Sequence, residues 1–304
     1  MLRRLVPGAA LASLLLAASP AQADDANAFY KQGMAYKHQG KADEAIAALE
    51  KAVAADARHA AAWATLGHLY KQKKDLARSI GAYEQASALT PKDAVVWRNL
   101  GMAYYMSQRV DDALVALDKA CRLTPKDAEI HSNLGVIRRQ KGEVKRAVTH
   151  LQWATKLAPD EHPYWNNLGV ALRADNRLDD AVAAFEKAIA LAPNESDYHF
   201  NLGVVFRRKD EAERAIPAYE RAVGLRPDYV EAWYDLGFMY KLNHDNDKAI
   251  AAFQTYLDLL AGKDAEGAKR VQDEITGLGG EVKAPAGGDK KAGGGKKSGG
   301  GKKP

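Results

Sequence analysis

The sequence predicts an all-α solenoid of seven helix–turn–helix units with a capping helix at its C-terminal end. Three observations support this fold class. A 34-residue period runs from Ala26 to Lys263 without an inserted or deleted residue, each unit carries two apolar stripes with helical spacing, and glycine recurs at one position in all seven units. A fixed period of this length indicates units that pack on their neighbours rather than around one central core. The predicted units are 26–59, 60–93, 94–127, 128–161, 162–195, 196–229 and 230–263.

Each unit is predicted to begin with an amphipathic helix. Counting from the first residue of a unit, position 4 is aromatic or histidine, position 7 is leucine in six units, position 8 is always glycine, and position 11 is large and apolar except at Arg138. These positions share one face of a helix. Because a helical glycine costs about 1 kcal/mol relative to alanine, its recurrence predicts that a second helix approaches closely there.

A second helix follows in every unit. Position 20 is small, position 24 is bulky and position 27 is alanine in six units, a stripe suited to packing against the first helix. Proline at position 32 of five units ends this helix. The turn between the two helices carries Gly40, Gly142, Asn176 and Asp210, residue types that tolerate a left-handed backbone.

This pattern, W-x-x-L-G-x-x-Y followed by alanine, a large apolar residue, alanine and proline, resembles the tetratricopeptide repeat family. The resemblance covers 238 of the 304 residues. It implies a right-handed superhelix in which the first helices of the repeats line a concave groove. It does not imply a particular partner, because one scaffold can carry many functions.

Residues 1–23 have the order of a secretory signal peptide. Arg3 and Arg4 precede an apolar stretch of about 15 residues, which is short for a membrane span, and the stretch ends in Ala21-Gln22-Ala23. The sequence therefore predicts a mature chain that starts at Asp24 and is periplasmic or secreted, without a transmembrane segment once the signal is cleaved. The alternative is an uncleaved membrane anchor.

The C-terminal part is predicted to be a capping helix at 264–278 and a disordered Gly/Lys-rich tail at 279–304. The whole chain has 44 basic and 39 acidic residues, but the tail alone holds seven lysines against two acidic residues. The repeat body therefore has no excess of positive charge, which argues against nucleic acid as its partner. Three interpretations of the tail stay open: a solvated terminus, attachment to an anionic envelope surface or polymer, and, least favoured, nucleic-acid binding.

Two columns of polar residues mark a candidate binding groove on the first helices. Asparagine at position 6 can pair with the backbone of an extended peptide, and this column resembles the asparagine ladder of peptide-binding tetratricopeptide superhelices. The alternative is a family preference without a ligand. Position 12 is basic in six units, which predicts contact with acidic groups; the alternative is solvated charge paired with acidic neighbours. The two columns are Asn99, Asn133, Asn167 and Asn201, and Lys37, Lys71, Arg139, Arg173, Arg207 and Lys241.

Apolar and aromatic residues complete the predicted groove. Position 9 is mostly apolar, and position 5 supplies Tyr30, Phe200 and Tyr234 as aromatic anchors of the kind enriched in binding hot spots. A groove with apolar, amide and cationic groups suits a peptide better than a bare polyanion.

The residues give little support for catalysis, and no cofactor or metal is predicted. Cys121 is the only cysteine and is expected to pack as a small apolar residue. The eight histidines show no metal-binding spacing, and His131 and His199 replace the aromatic residue at position 4.

The predicted function is a non-enzymatic scaffold that binds an extended or helical peptide segment of cell-envelope partners in its concave groove. The main alternative is an envelope tethering factor whose lysine-rich tail binds an anionic surface while the repeats act as a spacer. A third possibility is an accessory subunit that presents substrates to a separate enzyme.

Overall fold

The computed structural model describes residues 19–260 and 263–283, which form fifteen α-helices and no strand. The first helices of the seven repeats are α1 (Pro20–His38), α3 (Ala60–Gln72), α5 (Ala94–Met106), α7 (Ala128–Gln140), α9 (His162–Ala174), α11 (Ser196–Arg208) and α13 (Val230–Leu242). The second helices are α2 (Ala42–Ala55), α4 (Leu76–Leu89), α6 (Val110–Leu123), α8 (Val144–Leu157), α10 (Leu178–Leu191), α12 (Ala212–Leu225) and α14 (Asn246–Leu260), and α15 (Ala265–Gly277) follows. The predicted all-α repeat fold is confirmed.

The chain divides into two compact regions, which we call the N-terminal region (to residue 158) and the C-terminal region (from residue 159). In both, the two helices of a repeat pack on each other, and each second helix also packs on the first helix of the next repeat of that region. In the N-terminal region, buried side chains of α2, α3 and α4 form one hydrophobic cluster and those of α6 and α7 form another. The core is thus a chain of small clusters between neighbouring helices, as expected for a solenoid.

The glycine at position 8 is where the second helix approaches most closely. A methyl group added to any of these seven glycines would lie within 3 Å of the bulky side chain at position 24 of the same repeat. For Gly67 that side chain is Tyr83, and for Gly169 it is Phe185. A larger residue would overpack this contact, so packing outweighs the low helix propensity of glycine.

The turn between the two helices has one geometry in all seven repeats. Position 15 takes a left-handed backbone with φ between 58° and 84°, including at Lys74, Gln108 and His244. The following residue donates its backbone N–H to the carbonyl of position 11, as Asp75 does to Tyr70. This closure is a common helix C-terminal motif and requires a left-handed residue at its centre. The repeat geometry therefore imposes on lysine, glutamine and histidine a conformation that glycine adopts without cost.

The aromatic or histidine residue at position 4 bonds the preceding repeat through its ring nitrogen. The Trp97 indole N–H donates to the carbonyl of Pro91 at 3.1 Å, and Nε2 of His199 lies 2.9 Å from the carbonyl of Pro193. The same bond to position 32 is made by Trp63, His131, Trp165 and Trp233. Tryptophan and histidine are interchangeable here because both place an N–H at the ring edge.

The helix at the N-terminal end begins before the predicted cleavage site, and the first residues of the predicted disordered tail are packed on the last repeat. Helix α1 begins at Pro20 and is capped by Ser19, so the predicted cleavage site after Ala23 lies in its first turns; residues 1–18 of the predicted signal peptide lie outside the described residues. In the predicted tail, the side-chain amide of Gln254 bonds both backbone groups of Lys283, at 3.0 and 3.1 Å. The segment 279–283 therefore packs on α14, and residues 284–304 lie outside the described residues.

Helix α15 covers the last repeat, in the place where the sequence predicts a cap. Its apolar side is formed by Val271 and Ile275, which are fully buried, and the Asp264 carboxylate accepts from the backbone N–H of Gly267 to start the helix. An ion pair between Glu274 and Lys241 joins it to α13.

Candidate interaction surface

The candidate surface is the first-helix face, defined here as positions 5, 6, 9, 12 and 13 of the first helices in each region. Successive first helices touch directly, α3 with α5 and α5 with α7 in the N-terminal region, and α9 with α11 in the C-terminal region. Side chains at these positions therefore form a strip along α3, α5 and α7 in one region and along α9 and α11 in the other. The predicted binding residues all lie on this face.

Three of the four predicted asparagines have side-chain amides without a hydrogen-bond partner among the described residues. Asn99 and Asn133 in the N-terminal region, and Asn167 in the C-terminal region, are half-buried and form no side-chain hydrogen bond with any described residue. Asn201 differs because its amide accepts from Arg173 at 3.2 Å and donates to Asn166 at 3.1 Å. An amide with unspent donor and acceptor groups on a partly exposed face can pair with the backbone of a ligand.

In the C-terminal region, every basic residue at position 12 has an internal partner. Arg173 donates to Asn201, and the Arg207 guanidinium lies 3.7 Å from Asp235, which is position 6 of the next repeat. Lys241 pairs with Glu274 of α15. These cations join α9 to α11, α11 to α13, and α13 to α15.

In the N-terminal region, the basic residues at position 12 have no such partner. Lys37, Lys71 and Arg139 are half-buried and make no hydrogen bond or ion pair with the described residues. The remaining residue at this position is Tyr105, whose hydroxyl donates to the Gln140 side chain at 2.6 Å. The same sequence column thus has a different environment in the two regions.

The unpaired lysines create a positive potential around His68, at position 9 of the second repeat. Burial, followed by the charges of Lys37 and Lys71, lowers the pKa of His68 below its ordinary value. Burial, followed by the charge of Arg98, lowers the pKa of Lys71, while the charge of Glu129 opposes the shift. In both cases burial is the largest cause and neighbouring cations add to it.

Arg98 is a member of this group that the sequence analysis missed. It is position 5 of the third repeat, where other repeats have no basic residue, and it pairs with Glu129 and, at 3.7 Å, with Asp127. No column marks such a residue, so only the three-dimensional neighbourhood identifies it.

The predicted aromatic anchors are engaged in internal packing. The Tyr30 ring lies 4.7 Å from the His59 ring, Phe200 lies 4.7 Å from Tyr229, and Tyr234 lies 4.8 Å from Phe238, measured between ring centroids. All three anchors are half-buried. They therefore offer a ligand only part of their ring surface.

Apolar side chains line the strip between the polar columns. Every residue at position 9 is half-buried, and Met106 at position 13 of the third repeat is 45% exposed. In the C-terminal region a cavity of about 570 Å³ opens beside Phe238, Leu242 and Lys241. The face thus combines apolar contact with amide and cationic groups.

Asp235 is the buried acid of the C-terminal strip. Its side chain accepts from the Tyr219 hydroxyl at 3.1 Å, and burial raises its pKa although Arg207 opposes the shift. The aspartate replaces the asparagine of the preceding repeats, and its charge explains why Arg207 turns toward it.

A second polar cluster lies in the interface between the third and fourth repeats. Arg138, which is 8% exposed, binds Asp118 through both carboxylate oxygens at 2.8 Å and Glu143 at 2.6 Å. Nδ1 of His131 lies 3.1 Å from Nδ1 of His150. This cluster belongs to the packing of the repeats and not to the first-helix face.

The single thiol and the potential metal ligands can be assessed in the described part of the chain. Burial raises the pKa of the half-buried Cys121 thiol, which disfavours the nucleophilic thiolate. No group of three or more potential metal-ligating side chains occurs among residues 19–260 and 263–283. Among the same residues, every helix is too short or too polar to cross a bilayer.

Comparison with known proteins gives the same repeat class. The family model for the C-terminal domain of cilia and flagella-associated protein 70, a tetratricopeptide-repeat domain, matches residues 6–226, and a general tetratricopeptide-repeat model matches residues 200–264. None of the curated proteins is similar to the chain at a significant level.

Solved structures share the fold at low sequence identity. YrrB, described as a TPR protein with an unusual peptide-binding site, is 22% identical with a TM-score of 0.55, over 61% of this chain and 96% of YrrB. PilF of Pseudomonas aeruginosa is 18% identical with a TM-score of 0.58, over 70% of this chain and 96% of its own. MamA of Desulfovibrio magneticus RS-1 is 25% identical with a TM-score of 0.53, over 57% of this chain and 97% of its own.

These likenesses establish the fold. The match over residues 6–226 covers well over half of the sequence. The chain therefore belongs to the tetratricopeptide repeat family, in the branch described by the C-terminal domain of cilia and flagella-associated protein 70.

Proposed function

We propose that the protein is a non-enzymatic scaffold that binds a peptide segment of a partner protein along its first-helix face. The observation that supports this proposal is that the side-chain amides of Asn99, Asn133 and Asn167 lie beside apolar residues and make no hydrogen bond with the described residues. A half-buried amide without a protein partner loses part of its hydration and gains nothing in return. A ligand backbone would supply the missing donor and acceptor.

The proposed setting is the periplasm or the extracellular space, with a cell-envelope protein as the partner. The support is the order of residues 1–23, with two arginines, an apolar stretch and Ala21-Gln22-Ala23. Cleavage there leaves Asp24 as the first residue and removes the Ser19 cap together with residues 20–23 of α1. Loss of such a cap costs about 1 kcal/mol. N-terminal sequencing of the protein purified from an envelope fraction tests this setting.

The binding proposal is tested by crosslinking a partner to the groove. A photo-reactive amino acid at position 99 or 133 should capture a partner, whereas the same amino acid at the exposed position 81 on α4 should not. The double variant Asn99→Leu/Asn133→Leu keeps the branched side-chain shape but removes both amides, and we expect it to lose most of the capture. Equal capture from position 81, or no loss in the double variant, would contradict the proposal.

A tethering role is the second candidate, favoured by the seven lysines that lie among residues 279–304. Such a tail would bind an anionic envelope surface and lose that binding in high salt. The truncation that tests it should end after Lys283, because Gly280 and Lys283 pack on α14. Unchanged envelope association of the truncated protein at low salt would exclude the tether.

A further inference from the structure

The unpaired cations of the N-terminal region point to the chemistry of the ligand. Lys37 and Lys71 occupy the same position of successive first helices and make no ion pair with the described residues, although both are half-buried. A partly desolvated ammonium without a counter-charge is unfavourable compared with its paired state. The same position in the C-terminal region is satisfied internally, by Asn201, Asp235 and Glu274.

The electrostatics of neighbouring groups support the same view. His68 lies between the two lysines along the chain, and their charges are the causes, after burial, that lower its pKa. Arg98 adds a further cation next to Lys71, even though two acidic residues partly neutralise it. An acidic group placed beside His68 would relieve repulsion among all of these cations.

The surroundings of the lysines favour a peptide over a bare anion. Met34 and Met102 line the strip at position 9, and the unspent amides of Asn99 and Asn133 lie on the same face. An extended chain advances about 3.3 Å per residue and alternates its side chains, while neighbouring helices pack about 10 Å apart. Side chains on one side of an extended chain recur at every second residue, about 6.6 Å apart. A peptide with acidic side chains on one side therefore offers a carboxylate close to each successive cation.

We propose that the first-helix face of the N-terminal region binds an extended peptide in which acidic side chains alternate with apolar ones, with Lys37 and Lys71 holding the carboxylates and Arg139 extending the site. In the C-terminal region the corresponding cations stabilise the repeat stack and do not select the ligand. This inference rests on the proposed scaffold function and specifies which region selects the partner and by which chemistry.

The test compares two labelled ten-residue peptides, one alternating Glu and Leu and one alternating Gln and Leu, by fluorescence anisotropy with the full chain. Glu and Gln have the same shape, so the comparison isolates charge. We expect the Glu peptide to bind at least about tenfold more tightly than the Gln peptide, equivalent to about 1.4 kcal/mol. The preference should weaken as the salt concentration rises.

The variant Lys37→Gln/Lys71→Gln should bind both peptides equally. The matched control is Lys92→Gln/Lys126→Gln, which removes the same charge from two exposed residues of the loops between repeats, and it should keep the preference. The titration of the His68 imidazole by NMR adds a local measurement. The Glu peptide should raise the pKa of His68 toward its ordinary value, and the Gln peptide should not.

The outcomes separate the inference from the function on which it rests. Equal binding of both peptides to the unmodified protein, or a preference that survives Lys37→Gln/Lys71→Gln, would overturn the acidic-ligand inference and leave the scaffold function standing. An unchanged His68 titration with the bound Glu peptide would place the ligand elsewhere and also overturn it. Loss of partner capture by the Asn99→Leu/Asn133→Leu variant bears on the scaffold function alone.

Discussion

The N-terminal and C-terminal regions are built on the same repeat but use its polar positions in opposite ways. At position 12, Lys37 and Lys71 of the N-terminal region have no partner among the described residues, whereas Arg207 and Lys241 of the C-terminal region pair with Asp235 and Glu274. A charge of the same sign, at the same position of the first helix, holds repeats together in one region and makes no ion pair with the described residues in the other.

The interfaces between repeats share a polar contact in both regions, and one repeat of the N-terminal region makes it with different residues. In the C-terminal region the position-11 residue Tyr240 donates its hydroxyl to Glu220 of the preceding repeat at 2.5 Å. In the N-terminal region Tyr70 and Tyr104 make the same bond to Glu50 and Glu84, but the fourth repeat replaces tyrosine by Arg138 and the hydrogen bond by a buried ion pair. The repeat thus fixes where a polar contact is made and leaves its chemistry variable.

Among substitutions of these polar contacts, we expect the largest loss of stability at Arg138. Arg138→Ala should lower the free energy of unfolding by about 3 kcal/mol, because it leaves the carboxylates of Asp118 and Glu143 near a buried surface without their cation. Arg138→Tyr restores the usual residue, which can donate to Asp118, and should cost less than about 1 kcal/mol. Urea unfolding followed by tryptophan fluorescence measures both. Equal losses would mean that the volume of the side chain matters and its charge does not.

The histidine pair of the same interface should make the N-terminal region sensitive to acid. Burial, followed by the charges of Arg138 and His131, lowers the pKa of His150 to about 4, while Asp118 opposes the shift. The unfolded chain therefore takes up this proton at a higher pH than the folded chain, so the stabilisation is complete above about pH 6.5 and is lost as the pH falls toward 4. At pH 5 the loss should be about 1 kcal/mol for this half-buried group.

His150→Ala is the matched control, because alanine occupies this position in the six other repeats. The variant should lose less stability than the unmodified protein between pH 7 and pH 5, as measured by urea midpoints at each pH. In the C-terminal region His199 also replaces the position-4 tryptophan, but the residue corresponding to His150 is Ala218. An identical loss in the variant would assign the acid sensitivity to other groups.

Much of the fold could be predicted from the sequence because each repeat applies the same packing rule. The small residue at position 8 and the bulky one at position 24 identify a contact that the structure contains in every repeat, as between Gly33 and Leu49. The left-handed turn was predicted where glycine, asparagine or aspartate stands, but not at Lys74, Gln108 or His244. Local propensity does not reveal these three, because the closing hydrogen bond of the turn imposes the conformation.

The sequence predicts which helix face carries the candidate binding residues, but not which of those residues form internal ion pairs. The columns of the repeat place Lys71 and Arg207 on the same face, but pairing depends on which residue the next element brings close. Asp235, which follows Arg207 by 28 residues, is a hint that an acid replaces asparagine in the next repeat. The partner of Lys241 lies in α15, outside the repeat pattern, so no column could indicate it.

The smallest effect sharpens the contrast at position 12 itself. Lys241→Met keeps the aliphatic stem and removes the ion pair with Glu274, which should cost about 0.5–1 kcal/mol at low salt for a pair of this exposure. Lys71→Met removes a cation whose pKa is already lowered by burial and by Arg98, so it should leave the free energy of unfolding unchanged or raise it slightly. Urea midpoints are measured in 0.05 M and 1 M salt, between which the screening length falls at least about threefold. The midpoints of Lys241→Met and the unmodified protein should converge at the higher salt concentration. If Lys71→Met is as destabilising as Lys241→Met, Lys71 has an internal stabilising role, and the two regions do not differ in the way proposed. If it is not, the positive charge on the N-terminal strip serves no purpose in folding, and a carboxylate-bearing ligand gives the physical reason for its presence.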